Sequence, residues 1–357
     1  MGMFKDMLGS EETLFKNSIA LDYDYVPKLI PYREAEQKQI ALCIKPLLQN
    51  RNSRNIFIFG APGIGKTVAC KHILQELEEE SDEVYPIYIN CWKYNTTYKV
   101  VLQICDILGY KFTQNKKTEE LFDIARNMIN KKAAIFVLDE IDKAEDLDFL
   151  YMMLEEIYKK AIILITNKRE NIIDLDERIK SRLTAEMLEF GPYDLKEVRG
   201  ILKQRCEYAF YAGVWKDDAF EILVAKTFEL GDIRAGLYLM KEAGNSAEDM
   251  SVKEIRVDHV KNAIKKLDEF YVKEKEELGE DEKIILDIVR EHSGKKIGEL
   301  YKIYADKGGK FTYKTFQRRI SRLEQGKFVN LEKIEGGKEG KTTIVKDSSQ
   351  TKKLTEF

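Results

Sequence analysis

The residues most able to do chemistry form a glycine-rich loop, Gly60–Thr67, which reads GAPGIGKT. The loop satisfies the pattern GxxxxGK[ST], whose backbone N–H groups converge on phosphates at the amino end of a helix. In this pattern Lys66 reaches the β- and γ-phosphates, and the Thr67 hydroxyl binds Mg²⁺. Because the loop lies between an apolar segment and a helical pattern, the sequence predicts a nucleoside triphosphate site. The predicted contacts are Gly60, Ala61, Pro62, Gly63, Ile64, Gly65, Lys66 and Thr67.

Two further polar groups follow apolar segments that read as buried strands. Asp139 and Glu140 end the segment AAIFVLDE, and Asn167 ends AIILITN. We expect Asp139 to hold the magnesium through water and Glu140 to act as general base on the attacking water. Asn167 is placed to orient that water or the γ-phosphate. Asp142 is predicted to cap the next helix.

Two arginines, Arg178 and Arg182, lie four residues apart on one face of a predicted helix. They have two interpretations that the sequence leaves open. The helix could be an ordinary surface helix whose arginines pair with Asp176 and Glu177. Alternatively, one arginine could reach the phosphate of a neighbouring subunit.

A further arginine, Arg234, lies in the first turn of a helix for which Asp232 is a favourable N-cap. A cation at this end of a helix opposes the helix dipole, so we expect Arg234 to have an anionic partner. The γ-phosphate is a candidate.

The elements that must position these residues are alternating apolar strands and helices. The predicted strands are NIFIFG, VYPIYIN, AAIFVLDE and AIILITN. Such alternation predicts a parallel sheet with helices on both faces. After Gly191 the pattern becomes purely helical, which predicts a small helical domain. We therefore divide the chain into residues 1–190, 191–275 and 281–357.

The last of these segments is basic. From Lys310 to Lys346 it carries ten Lys and Arg against four Glu, which favours a polyanionic partner, with nucleic acid first. Three short helices precede two strands around a Gly/Lys turn, an order typical of a winged helix. Its basic helix would enter the DNA major groove and its wing would contact the backbone or minor groove. The alternative is a winged helix that contacts protein. The predicted DNA contacts are Lys314, Gln317, Arg318, Arg322, Lys338 and Lys341.

The composition is that of a globular protein, with 34% charged and 44% hydrophobic residues in 357. This length predicts two or three domains. The five cysteines lack CxxC spacing, and we expect buried reduced thiols rather than a zinc site. Neither a signal core nor an apolar run of membrane-spanning length is evident, so we expect a cytoplasmic, chromosome-associated protein with no membrane partner.

Taken together, these residues resemble the archaeal origin recognition complex and cell-division-cycle-six family of AAA+ replication initiators. The resemblance runs from about Phe15 to Lys346. The segments that carry it are YVPKLIPYREAEQKQI, YINCWKYNTTYKVVLQI, LDEIDKAEDLDFLYMMLE, LDERIKSRL, PYDLKEVRGILKQRCEYAF and GDIRAGLYLMKEAGNSAE. They occur in the order that the family shows.

The resemblance implies an α/β fold: a P-loop AAA+ base with a parallel sheet, a helical lid and a C-terminal winged-helix domain. It implies that ATP or ADP, with Mg²⁺, lies between base and lid. It also implies duplex origin repeats as partner, with the replicative helicase and further copies of the chain as additional partners. A helical insertion within Tyr94–Lys117 would contact DNA as well.

The family's functional positions match particular residues of this chain. Lys66 and Thr67 match Walker A, and Asp139 and Glu140 match Walker B. Asn167 matches sensor 1 and Arg234 matches sensor 2. The remaining matches are the arginine finger at Arg182 with Arg178 behind it, the nucleotide-contacting lid positions Tyr193 and Arg205, and the adenine-side positions Val26 and Pro27.

The leading hypothesis is an ATP-dependent, duplex-binding initiator that recognises replication origins and helps to load the helicase. We expect slow ATP hydrolysis that serves as a conformational switch. The alternatives are a regulatory or signalling P-loop ATPase whose winged helix contacts protein, and a clamp-loader-like or transposition-helper ATPase. The absence of long repeats argues against a regulatory ATPase, and the basic helix with its wing argues against both alternatives.

Overall fold

The computed structural model describes residues 13–169, 175–276, 280–309, 311–325, 328–334 and 342–347. The chain divides into two compact units, Met1–Ile264 and Lys265–Phe357. The boundary predicted between base and lid, at residues 190 and 191, falls inside the first unit and stays a prediction.

The first unit contains a five-stranded sheet whose strands are all parallel. The strands are β1 (Ile56–Phe59), β2 (Val84–Asn90), β3 (Ala133–Asp139), β4 (Lys160–Ile165) and β5 (Glu186–Glu189). Their spatial order is β2-β3-β4-β1-β5. The predicted parallel sheet is therefore confirmed.

The edge strand β5 is not among the strands that the sequence predicts. It has four residues, EMLE, of which Leu188 alone is buried. Glutamate is a poor strand former, and a strand this short shows no clear alternation. Parallel pairing of Ile56 through Phe59 with this segment decides its conformation instead.

Six helices cover the two faces of the sheet. They are α1 (Glu34–Leu48), α2 (Lys66–Glu80), α3 (Thr97–Ile107), α4 (Thr118–Ile129), α5 (Asp148–Glu156) and α6 (Glu177–Leu183). Alternate strand residues point to opposite faces. Phe57 and Phe136 pack in one apolar layer with residues of α3 to α6, whereas Ile58 and Val137 pack in the other with residues of α1 and α2. The sheet is buried on both faces.

A helical layer follows the sheet in the chain, as the sequence predicts. It consists of α7 (Leu195–Ala209), α8 (Asp217–Leu230) and α9 (Ile233–Asp249), and α10 (Val257–Glu276) comes next. We call α7 to α9 the lid. Helix α7 begins with a capping box between Asp194 and Glu197.

The segment of residues 13–33, which we call the arm, packs against the lid. Its regular structure is a 3₁₀ turn at Ser18–Leu21. Lys16 donates its backbone N–H to the Ala209 carbonyl at 2.8 Å, and the rings of Phe15 and Phe210 lie 4.7 Å apart. The arm therefore belongs physically to the helical layer, although it precedes the sheet in sequence.

The second unit combines three helices with a small antiparallel sheet. Its elements are α11 (Glu280–Glu291), β6 (Lys295–Lys296), α12 (Ile297–Asp306), α13 (Tyr313–Gln325), β7 (Val329–Ile334) and β8 (Thr342–Asp347). The strand order is β6-β8-β7. Phe316, Ile320 and Leu323 of α13 are buried in its core, as the sequence predicts. The predicted helices and strands are confirmed, and β6 is an addition.

Within the described ranges, no helix combines the length and the apolar character needed to cross a membrane.

The sheet core supports a stability prediction. Phe136 is fully buried in the central part of the sheet, so Phe136→Ala should lower the free energy of unfolding by about 3–5 kcal/mol through the cavity it leaves. The matched control is Phe112→Ala, because Phe112 is 80% exposed and its loss should cost under about 0.5 kcal/mol. Both tryptophans of the chain, Trp92 and Trp215, lie in the first unit. Urea unfolding followed by their fluorescence measures the difference, and equal losses in the two variants would contradict this packing.

Candidate functional site

Thirteen of the predicted site residues line a cavity of about 290 Å³ at the carboxyl edge of the sheet, whereas Gly60, Ala61 and Ile64 of the loop do not. Three strands end there side by side, because β3, β4 and β1 are neighbours in the sheet. The lid and the arm supply the opposite wall. The predicted residues that line the cavity are Val26, Pro27, Pro62, Gly63, Gly65, Lys66, Thr67, Asp139, Glu140, Asn167, Tyr193, Arg205 and Arg234.

The glycine-rich loop turns from β1 directly into α2. Gly63 and Gly65 have φ of 75° and 95°, a left-handed conformation that residues with a Cβ rarely adopt. Gly65 is the N-cap of α2, and Lys66 is the first residue of this helix. The loop thereby places backbone N–H groups at a helix amino end, which is a favourable environment for an anion.

The Lys66 ammonium is buried within this loop. It donates to the carbonyls of Gly60 at 2.7 Å and Ala61 at 2.8 Å, and to Asn167 Oδ1 at 3.0 Å. Burial lowers the pKa of Lys66 to about 8. A desolvated amine held by neutral oxygens is suited to receive an anionic oxygen, because Coulomb attraction is stronger away from water. Asn167 thus lies beside Lys66 at the sheet edge, and its role as a sensor stays a prediction.

The Asp139 carboxylate is the centre of a second set of contacts. The hydroxyls of Thr67 and Tyr88 donate to Asp139 Oδ2 at 2.7 and 2.8 Å, and the Glu140 N–H donates to Oδ1 at 3.0 Å. A hydroxyl and a carboxylate are the hard oxygen ligands that Mg²⁺ prefers. Thr67 and Asp139 therefore fit the predicted magnesium site. Tyr88 was missed, and because β2 also carries Tyr85, the sequence offers no signal that singles out the Tyr88 hydroxyl.

Glu140 is held in an unusual conformation beside this carboxylate. Its φ of 54° and ψ of 44° are left-handed, which costs free energy for a residue other than glycine and is typical of functional sites. Burial, followed by the charge of Asp139, raises the pKa of Glu140. A carboxylate with a raised pKa is a better proton acceptor near neutral pH.

A residue that sequence analysis missed, Asn90, contacts Glu140 directly. The Asn90 side chain hydrogen-bonds Glu140, which partly offsets the rise in the pKa of Glu140. Its Oδ1 also accepts the backbone N–H groups of Trp92 and Lys93 at 2.9 and 3.1 Å. The available signal was strand position, because Asn90 ends β2 in register with Asp139.

The prediction that Asp142 caps the next helix is wrong. Asp142 lies in a 3₁₀ turn, Ile141–Lys143, and accepts the Thr166 hydroxyl at 2.9 Å. Helix α5 begins later, and its N-cap position is Leu147. The left-handed residue Glu140 turns the chain immediately after β3, which leaves Asp142 facing the end of β4 instead of a helix amino end.

The lid contributes Arg234 to the cavity. Asp232 caps α9 by accepting the Arg234 backbone N–H at 2.9 Å, as predicted. The same carboxylate pairs with the Arg234 guanidinium, through Nε and Nη2 at 3.2 Å each. Asp232 is thus the anionic partner of Arg234 in this structure. A Cβ on Gly63 would lie 2.0 Å from the Asp232 carboxylate, so the lid touches the loop there.

Tyr193, two residues before α7, and Arg205 of the lid also line the cavity. The Tyr193 hydroxyl lies against Gly65, since a Cβ on that glycine would be 2.7 Å from it. The Arg205 guanidinium donates to the Ala20 carbonyl at 3.2 Å and lies 5.1 Å from the ring of Tyr25. Arg205 therefore fastens the arm to α7, and its predicted contact with the nucleotide stays a prediction.

Arg178 and Arg182 lie on the exposed side of α6 and do not line the cavity. Arg178 pairs with Asp176 at 3.0 Å, as the surface interpretation predicts, whereas Arg182 pairs with Glu155 rather than Glu177. Their role as an arginine finger stays a prediction.

The predicted DNA contacts in the second unit are partly described. Lys314 and Arg318 are exposed on α13, and Gln317 is half-buried. Arg322 lies in the same helix, with a side chain outside the described part of the structure. Lys338 and Lys341 lie outside the described residues.

The buried lysine generates a pH prediction. The pKa of Lys66 falls from 10.5 to about 8 on folding, so between these values the unfolded chain binds more protons than the folded chain. The free energy of unfolding should therefore rise through this window, by up to about 3 kcal/mol. Lys66→Met should remove that rise. Urea unfolding of both proteins at pH 7 and at about pH 10.5 tests it, and an identical pH dependence in the two would contradict the burial of the charged amine.

Family models match both layers of the first unit. The model described as AAA domain matches residues 49–172, which include the glycine-rich loop and the strands β1 to β4. The model described as Cdc6 AAA+ ATPase-type lid domain matches residues 199–265.

Relatives match nearly the whole chain. It is 31% identical to ORC1-type DNA replication protein 1 of Archaeoglobus fulgidus, over 99% of this chain and 92% of that protein. It is 32% identical to ORC1-type DNA replication protein 1 of Sulfurisphaera tokodaii, over 94% of this chain and 90% of that protein. The solved structure of the Aeropyrum pernix ORC1 protein in complex with DNA matches with a TM-score of 0.71 and 28% identity, over 95% of each chain.

Proposed function

Since the chain belongs to the family of ORC1-type DNA replication proteins, we propose that it is an ATP-dependent initiator that binds duplex DNA at replication origins. One observation carries the nucleotide part of this proposal: Lys66, Asp139, Glu140 and Arg234 line one cavity between the sheet edge and the lid. The DNA part is supported by the Aeropyrum pernix relative, which was solved with DNA.

In this proposal, different residues of the cavity bind different parts of the triphosphate. The N–H groups of the glycine-rich loop and the Lys66 ammonium bind the β- and γ-phosphate oxygens. Thr67 and Asp139 would hold Mg²⁺, which would supply positive charge to neutralise the phosphate oxygens. Val26 and Pro27 of the arm line the same cavity and provide apolar surface for the base.

Hydrolysis needs a proton acceptor next to the phosphate, and Glu140 supplies it. Glu140 takes a proton from a water molecule as that water attacks the γ-phosphorus, and the bond to the β-phosphate oxygen breaks. Asn167, which is hydrogen-bonded to Lys66, orients the attacking water or the γ-phosphate.

Because burial raises the pKa of Glu140, the rate of hydrolysis should decline on the acid side at a pH above the ordinary carboxyl range.

The ion pair between Arg234 and Asp232 supports a switch. A γ-phosphate in the cavity would compete with the Asp232 carboxylate for the Arg234 guanidinium, and Asp232 lies against Gly63 of the loop. The lid would therefore have different contacts with ATP and with ADP. Differential contact of this kind is what allows a ligand to shift a conformational equilibrium.

The second unit supplies the DNA contacts in this proposal. Its described elements follow the order helix, strand, helix, helix, strand, strand, which fits a winged helix. Lys314 and Arg318 are exposed cations on α13, and in this proposal they reach a DNA groove. We further propose assembly of several copies on DNA, with Arg182 at the contact between copies, and a role in helicase loading.

Two substitutions separate nucleotide binding from hydrolysis. Lys66→Ala should abolish measurable ATP binding, because the buried ammonium that faces the phosphates is lost. Glu140→Gln should keep ATP affinity and reduce hydrolysis at least about 100-fold, because an amide cannot accept the proton. Calorimetric binding and phosphate release measure the two steps. Unchanged ATP affinity in Lys66→Ala would rule out this cavity as the nucleotide site.

Charge changes on α13 test the DNA surface. In the double variant Lys314→Ala and Arg318→Ala, duplex affinity should fall at low salt, and the slope of log K against log salt should flatten by about 2. The control is Arg290→Ala, a half-buried arginine of the same unit that pairs with Asp287. Fluorescence anisotropy with a host-origin duplex provides the measurement. Equal affinity and slope in both variants would favour a winged helix that contacts protein.

A further inference from the structure

We propose that Arg33 is a positioning residue that orients the phosphate-binding loop and ties it to the beginning of the lid. This inference rests on the proposed nucleotide-binding function of the cavity. Arg33 precedes α1 and is 31 residues before Ile64 in sequence, so the loop pattern does not include it. It does not line the cavity, and it acts through the residues that do.

The Arg33 side chain is buried, with 6% of its surface exposed, and all three guanidinium nitrogens have partners. Nε donates to the Ile64 carbonyl at 3.2 Å, and Nη2 donates to the Gly191 carbonyl at 2.5 Å. Nη1 pairs with Glu36 at 2.7 Å. A buried charge needs hydrogen-bond partners to offset the loss of hydration, and the Arg33 guanidinium has them on all three nitrogens.

The bond to Ile64 determines the direction of a phosphate donor. The Ile64 carbonyl and the Gly65 N–H belong to one planar trans peptide and therefore point in opposite directions. Gly65 lines the cavity, whereas the Ile64 side chain is buried in the core. When Arg33 holds the carbonyl on the outer side of the loop, the Gly65 N–H faces the cavity. Loops of this kind bind phosphate through such N–H groups.

The other contacts of Arg33 join the loop to the lid. Gly191 lies between β5 and α7, and the guanidinium carbon is 4.0 Å from the centre of the Tyr193 ring. The Tyr193 hydroxyl in turn lies against Gly65. One guanidinium therefore contacts the loop on one side and the connection to the lid on another. A shift of the loop would therefore change the contacts of Arg33 with the residues that lead into the lid.

Arginine suits this position better than lysine would. Its planar guanidinium offers five N–H donors in a fixed geometry and can stack on an aromatic ring. A lysine ammonium is a point charge, and it cannot reach both carbonyls and the Tyr193 ring from one place. The substitution Arg33→Lys therefore keeps the charge and removes the geometry.

The test compares Arg33→Lys with Arg199→Lys. Arg199 is an exposed arginine of α7 that pairs with Glu221, and it does not line the cavity. We expect Arg33→Lys to bind both ADP and ATP about 10-fold more weakly, because the misdirected N–H serves phosphates common to both nucleotides. Arg199→Lys should bind like the wild-type chain. Isothermal titration calorimetry at 15 °C, roughly 30 °C or more below a typical midpoint, gives the affinities of folded protein.

A purely structural role would lower the melting temperature of Arg33→Lys but leave both affinities unchanged at 15 °C, roughly 30 °C or more below a typical midpoint. That result would overturn the inference. If Arg33→Lys does not fold, Arg33→Met keeps the stem, buries no charge and carries the same expectation. Wild-type protein that binds neither nucleotide would instead overturn the proposed function.

A double-variant cycle tests the connection to the lid. Tyr193→Leu removes the ring that stacks on Arg33. The fold loss of ADP affinity that it causes should therefore overlap with the fold loss caused by Arg33→Lys. The double variant should lose less than the product of the two single losses. Independent effects that multiply would show that Arg33 acts on the loop alone, and this would overturn the lid half of the inference.

Discussion

Parallel pairing of β1, β3 and β4 is the constraint on which the whole site depends. Strands that run in one direction bring their carboxyl ends to one edge, and the helix that follows β1 presents its amino end at the same edge. Lys66, Asp139 and Asn167 meet there for that reason, although 101 residues separate Lys66 from Asn167. The sheet is buried on both faces, and its carboxyl edge remains to form one wall of the cavity.

The second wall of the site comes from two segments that are distant in sequence. The arm precedes the sheet and the lid follows it, yet the two pack together through Arg205 and through the rings of Phe15 and Phe210. A nucleotide in the cavity would therefore touch the sheet edge on one side and a helical layer on the other. In the proposed function, this arrangement would convert the presence of a phosphate into a change in contacts between the two layers.

Buried charge is concentrated at the boundary between these layers. Lys66, Asp139, Arg33 and Arg205 are all buried, and each is held by carbonyls, hydroxyls or a carboxylate. Burial of this kind costs free energy unless every polar group has a partner. A small displacement of one of these side chains would leave a buried charge without its partner. The left-handed Glu140 adds local backbone strain at the centre of the site.

The sequence alone determined the parallel sheet, the helical layer and somewhat fewer than half of the residues that line the cavity. The reason is that the loop pattern, the apolar strands and the capping residues are local signals, and strand order brings their ends together. Tertiary structure alone decided that the glutamate-containing segment β5 is a paired strand. It also decided the turn after Glu140, because of which Asp142 accepts the Thr166 hydroxyl instead of capping a helix. It also decided the partners of Arg33 and Asn90. Such contacts depend on which side chains the packed sheet brings within a few ångströms, and no spacing along the chain encodes them.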